Sequence, residues 1–415
     1  MGTRTFVNER VSFSPTKAAS RGVDMPLVLI VVALVVFGLI MWYSASYDFS
    51  FNEYGSATYM FGRQLRWLAL GTVMAFLLSL FDYHNWRRIV VVAMLGTIGL
   101  LVAVAIINEP RLGAVRTLYK GSYQPSEIAK LVSVIYLSVW LYSKRQFLHD
   151  VGFGLVPLGV ILGIIGGLIY KQPDLSAAGT VIILGGLLFF LAGADIKQII
   201  FILILAVGIG YLITQFSTTG QARVAEYLAG WQDPTNASYH VQRSFEAIIK
   251  GGVFGVGLGE ANTKLLGLPF APTDSVFAVI VEELGLFGSV LLIALYAALV
   301  WRGLVIARRA PDMLGTLLAS GIACWIALEA LINMSAMVGL VPFAGNALPF
   351  ISAGGSNLVS ILCAIGIMLN ISRQSGDVTK TEENDWRSFG ADVDLRRGNG
   401  RRSVSRSRRS QRTHG

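Results

Sequence analysis

The chain is 415 residues long, 54% hydrophobic and only 14% charged, with a formal net charge of +9. Soluble domains carry about 25% charged residues, so this composition excludes a water-soluble globular protein and makes lipid the solvent. The two cysteines, Cys324 and Cys363, both sit in apolar runs, which leaves no basis for a disulfide framework or a thiolate metal site.

A basic arm, 1–24, opens the chain with Arg4, Arg10, Lys17 and Arg21. The apolar run that follows is too long for the core of a signal peptide and has no small-residue cleavage site after it, so it reads as a retained span. A membrane-crossing helix needs about 20 mostly apolar residues. Ten runs are predicted to cross, near 25–46, 65–82, 89–108, 125–142, 152–170, 175–194, 197–215, 275–301, 313–338 and 354–372. The fold class is therefore an all-α polytopic membrane protein, with a ten-span domain over 25–372. An even number of spans puts both termini on one side, and their arginines make that side cytoplasmic by the positive-inside rule. Arg87, Arg88, Lys144, Arg145, Arg302, Arg308 and Arg309 agree, whereas Arg63 and Arg66 lie at an outer helix start. The polar segment 216–274 then forms a large outer loop between spans seven and eight. The tail, 373–415, is rich in arginine and nearly free of apolar residues, and is expected to be disordered. It supplies +5 of the +9, so the net charge is no argument for nucleic acid. It suits contact with anionic membrane lipids or a docking role toward a cytoplasmic partner. No fixed repeat and no matched pair of interrupted helices is apparent, which weighs against a repeat-built transporter.

Three segments on the predicted outer side hold candidate chemistry. In 124–130, Gln-Pro-Ser-Glu-Ile-Ala-Lys starts a span, with proline suited to the first turn and Glu127 favoured by the helix dipole. Glu127 and Lys130 lie one turn apart on one face. Inside a membrane such a pair is a functional candidate, although a self-neutralising ion pair is the plainer reading; Arg116 adds a cation upstream. In the second segment, Pro173 ends a helix and Asp174 is either the cap of the next span or an outward carboxylate. The third runs from the glycines at 251, 252, 255, 257 and 259 through Pro272-Thr273-Asp274 to Glu282-Glu283-Leu284-Gly285. The glycines would let backbone approach a bulky ligand. Asp274, at a helix mouth, is either a cap or a partly desolvated general base. Glu282, two turns further along, could pair with a cation on another span.

These residues, with Trp42-Tyr43-Ser44-Ala45-Ser46 and Leu348-Pro349-Phe350-Ile351-Ser352 followed by Gly354-Gly355-Ser356, resemble the SEDS family (shape, elongation, division and sporulation), leaning to its FtsW branch over its RodA branch. The resemblance implies a peptidoglycan glycosyltransferase that polymerises lipid II into undecaprenyl-linked glycan on the outer face of the bacterial cytoplasmic membrane, in division or elongation, beside a class B penicillin-binding protein. It places the family's essential aspartate at Asp274, its fourth-span acid and base at Glu127 and Lys130, and its loop arginine at Arg116. Three positions depart from the family pattern: Pro272 where histidine is usual, Ala353 where tyrosine is usual, and Ser176-Ala177 where Gly-Thr is common. Extension then needs a base for the acceptor hydroxyl, Asp274, and cations for the leaving pyrophosphate. Lys130 and Arg116 come first, then Arg223 and Lys264, with Asp174, Glu282 and Glu283 in support. A divalent cation would suit the pyrophosphate, but no compact ligand cluster is apparent. The competing readings are a lipid II flippase and a non-catalytic scaffold for the penicillin-binding protein.

Overall fold

Among the residues that the computed structural model describes, 22–107, 124–172, 174–216, 218–264, 267–268, 272–343 and 345–391, every regular element is a helix. Arg116 and Pro173 lie outside them. The chain divides into two units, and the larger, Arg21–Ser375, holds the elements that shape the site.

The helices are α1 (Met25–Tyr54), α2 (Tyr59–Leu80), α3 (Trp86–Ile107), α4 (Pro125–Lys144), α5 (Val156–Tyr170), α6 (Leu175–Leu191), α7 (Ile196–Phe216), α8 (Thr218–Gln232), α9 (Tyr239–Gly251), α10 (Val276–Arg308), α11 (Met313–Met337) and α12 (Gly355–Ala391). Seven of the predicted spans coincide with helices that are long and apolar enough to cross a membrane: α1, α3 with the turn before it, α5 with the π-turn before it, α7, α10, α11 and the part of α12 up to Ser375. The other three fall on α2, which carries Arg63 and Arg66, on α4, which carries Glu127 and Lys130, and on α6, which is apolar but only 17 residues long. The expected outer loop 216–274 falls between α7 and α10 and holds two folded helices, α8 and α9, which the sequence reading did not separate: the polar surface of a short amphipathic helix resembles a loop in composition alone. The expected start of a disordered tail at residue 373 falls inside α12, which runs on to Ala391.

Helix starts follow local chemistry. Asp24 caps α1 by accepting from the Leu27 N–H at 3.0 Å, and Asp312 caps α11 by accepting from the Gly315 N–H at 2.8 Å, which satisfies donors that a helix otherwise leaves open. Asp24 also receives two hydrogen bonds from Arg302, at 2.9 and 2.7 Å, so the start of α1 is tied to the last turns of α10. The interior is built from α4, the first turns of α10, α11 and the first part of α12, whose side chains are largely buried. In contrast, α7 turns nearly all its apolar side chains outward, as a helix does when lipid covers it. Close approach of α12 to α2 depends on small residues: a Cβ on Gly366 would stand 2.4 Å from the carbonyl oxygen of Ala75, and one on Gly71 would stand 2.6 Å from Leu362. Packing without a hydrophobic drive between helices relies on such contacts.

Candidate active site

A cavity of about 200 Å³ opens between the start of α4, the start of α6, the approach to α10 and the loop after α11. Glu127, Lys130, Asp174, Asp274, Asn346 and Asn357 all border it. The structure thus gathers four of the sequence candidates from three distant stretches of chain.

Lys130 is 4% exposed and donates to Glu127 at 3.0 Å, as helical spacing predicts. It donates equally to Glu329 of α11, a residue that sequence reasoning missed. The pair is therefore a triad in which two buried carboxylates share one ammonium. The carboxylates are held by further donors: Trp325 Nε1 reaches Glu329 at 2.8 Å, and the Asn357 side-chain amide reaches Glu127 at 2.7 Å and Glu329 at 3.4 Å. Glu329 had a signal available, since a lone acid in an apolar span is costly enough to mark a site by itself.

Asp174 is the cap of α6, accepting from the Ala177 N–H at 3.2 Å, and so takes the structural of its two readings. Its second oxygen accepts from Ser126 and from the Gln124 amide, both at 3.0 Å, which ties α6 to the start of α4. Asp274 is half-buried and lies two residues before α10. Its backbone is fixed from two directions. The Asn333 amide of α11 donates to the Asp274 carbonyl at 2.9 Å and to the Asn346 carbonyl at 2.5 Å, while Ser352 donates to the Thr273 carbonyl at 2.5 Å. The Asn346 amide nitrogen is buried with no hydrogen-bond partner among the described residues. Asn333, Asn346 and Asn357 were also missed, because an asparagine in an apolar stretch carries no signature of its partner.

The remaining candidates among the described residues lie away from this cavity. Lys264 donates to Glu283 at 3.2 Å and to the carbonyls of Ser44 and Gly259 at 3.2 and 2.9 Å, and Ser44 donates to both Glu283 oxygens at 2.6 and 2.8 Å. Glu282 accepts from the N–H groups of Asn262 and Thr263, at 3.0 and 3.2 Å, and from the Thr263 hydroxyl, so its partner is the loop and not the cation expected of it. Arg223 lies on α8, beside a second cavity. Within the glycine run, Gly251 and Gly255 approach protein backbone, whereas Gly252 and Gly259 face open space. Helix α10 is broken at Gly285, with φ 66° and ψ −160°. The loop repairs the break, since the N–H groups of Val256 and Gly257 donate to the carbonyls of Glu282 and Glu283 at 2.9 and 3.0 Å. A Cβ on Gly255 would stand 2.1 Å from the Glu283 oxygen, which is why glycine is required there.

Comparison with known proteins decides the lineage. Residues 25–377 match the cell cycle protein family that groups FtsW, RodA and SpoVE. The chain belongs to the FtsW/RodA/SpoVE family. Among curated members of the family, it is 36% identical over 353 residues to a protein of Geobacter metallireducens named as a probable peptidoglycan glycosyltransferase FtsW, covering 84% of this chain and 94% of that one. It is 35% identical over 361 residues to stage V sporulation protein E of Bacillus subtilis, covering 85% and 97%. The fold is that of solved family structures at 24% identity: a chain from a peptidoglycan synthase complex, with a TM-score of 0.70, and Thermus thermophilus RodA, with a TM-score of 0.64, each covering 85% of this chain and 98% of the other. An FtsW/RodA/SpoVE membrane fold with a buried charged triad beside a half-buried aspartate is thus the frame for function.

Proposed function

We propose that this chain polymerises lipid II on the outer face of the bacterial cytoplasmic membrane, with Asp274 as the general base. The enzyme class is peptidoglycan glycosyl transfer, in keeping with the curated relatives. The observation that carries the catalytic assignment is the meeting of Asp274 with Glu127, Lys130 and two asparagine amides around one cavity. In this reading the Asp274 carboxylate takes the proton of an acceptor sugar hydroxyl as its oxygen bonds to the anomeric carbon of the donor. The bond from that carbon to the lipid pyrophosphate breaks, the anomeric centre inverts, and the pyrophosphate leaves with the electron pair. Its growing charge needs fixed donors in a dry setting. Lys130 and Asn346 stand nearest that task, with Arg116 upstream. Asp174, Glu282 and Glu283 serve the framework.

A class B penicillin-binding protein that crosslinks the new strand is the expected partner, and a ten-span topology with cytoplasmic termini the expected arrangement. The test is labelled lipid II given to purified chain and to Asp274→Asn. The variant should fold and elute as wild type while losing polymer by about 100-fold or more, the scale for removing a catalytic group. Near-normal product from Asp274→Asn would return the residue to a helix-end role.

A further inference from the structure

A second cavity, of about 290 Å³, lies between α8, α9 and the segment 339–343. Its wall mixes flat rings with polar groups: Arg223, Glu226, Trp231, Ser238, His240 and Phe343. Trp231 is 65% exposed, and Tyr227 meets it edge-on at 6.2 Å. His240 stacks on Phe343 at 4.2 Å and 12°, and burial, with Arg223 adding to it, holds that imidazole below its ordinary range. The Ser238 hydroxyl is buried with no hydrogen-bond partner among the described residues, an expensive state that an incoming donor or acceptor would relieve.

Position makes the chemistry specific. The same loop after α11 walls both cavities: residues 339, 341 and 343 face this one, and 345–347 face the one with Asp274. From Phe343 to Gly345 the chain spans at most about 7 Å. The Tyr227 hydroxyl donates to the Leu340 carbonyl at 2.8 Å, so α8 is fastened to that shared wall. Sugar rings offer a face of C–H groups to an aromatic plane and a rim of hydroxyls and amides to polar side chains, which matches amphipathic rings set among charged groups. The volume is at the lower end for ligand pockets, roughly 300 Å³, and suits a sugar or two in place of a lipid tail or a folded partner.

We infer that the α8–α9 cavity is a saccharide subsite that holds amino-sugar rings of the glycan strand beside the catalytic cavity; the inference rests on the polymerase reading above. The tests use the full purified chain. Binding of a soluble β-1,4-linked N-acetylglucosamine tetramer, followed by calorimetry, should weaken tenfold or more in Trp231→Ala and be largely restored in Trp231→Phe, while Val256→Ala, which borders neither cavity, binds as wild type does. With lipid II, Trp231→Ala should give strands several-fold shorter. Equal tetramer affinity and equal strand length in wild type and Trp231→Ala would overturn the subsite and leave Trp231 as a membrane-interface anchor. Unchanged tetramer binding with lost co-purification of a membrane partner would overturn it in favour of a protein interface. Failure of Asp274→Asn to lose polymerisation would strike the catalytic reading, and the tetramer measurement would still report on the subsite by itself.

Discussion

Lys130 lies between two carboxylates, and this changes how its role can be tested. Replacing Lys130 alone by Met leaves Glu127 and Glu329 facing each other in a buried site, and breaking a buried ion pair costs about 3–5 kcal/mol. A double replacement with Glu127→Leu still leaves Glu329 with no counter-charge. The variant that removes every charge is therefore Glu127→Leu, Lys130→Met, Glu329→Leu: apolar substitutes of similar volume for a whole buried ion cluster are often neutral, although Trp325 and Asn357 then lose their acceptors, at about 1–3 kcal/mol each. We expect it to elute as a single species and to have lost polymerisation by roughly 100- to 1,000-fold, the scale of an absent charge-stabilising donor. A wild-type initial rate on lipid II would make the triad architectural. Glu329→Gln should stay folded, since its amide oxygen can still accept from Trp325. The local half of this cluster was legible because i,i+3 spacing fixes a face. Glu329 is 199 positions from Lys130, and no local pattern records such a contact.

Among the elements, α10 is the one whose continuity is not its own. Its break at Gly285 loses ladder hydrogen bonds that the loop 252–257 returns from outside. Gly255→Ala would combine a positive φ of 79° with a contact of 2.1 Å to backbone. Strained backbone costs roughly 1–3 kcal/mol by itself, so the melting temperature in detergent should fall by several degrees or the chain should fail to accumulate. Val256→Ala, at an adjacent site without that contact, should change little. Seven of the predicted spans were legible because twenty apolar residues in a row admit few other readings, and Asp174 was legible as a cap because an acid before an apolar run is what a helix start requires. The glycine run was read as a ligand cradle. Glycine reports that something comes close without saying whether it is a substrate or the chain itself. Helices α8 and α9 were hidden for a related reason, since a polar helix resembles a loop until its partner surface is known.

For the whole molecule, the proposed cytoplasmic placement of the termini carries the placement of the site with it. Cysteines introduced at Thr235 or Asn236, between α8 and α9, should react with an impermeant thiol reagent in intact cells, and a reporter fused after Arg412 should be active only in its cytoplasmic form. The reverse pattern would put the cavity with Asp274 on the wrong side for an external polymer. One small feature reaches across this scale. A single amide, that of Asn333, holds the carbonyls of both Asp274 and Asn346, so one side chain of a buried helix bridges two walls of the cavity that Asp274 borders. Such a spacer makes tolerance a property of the bundle: dimensional error at the reacting atoms is taken up when the protein folds and not when substrate arrives. Asn333→Ala strands two acceptors at about 1–3 kcal/mol, and polymerisation should then fade on heating at a temperature well below the loss of helical signal, whereas in the wild type the two should disappear together. The enzyme would fail first as a gauge and only later as a fold.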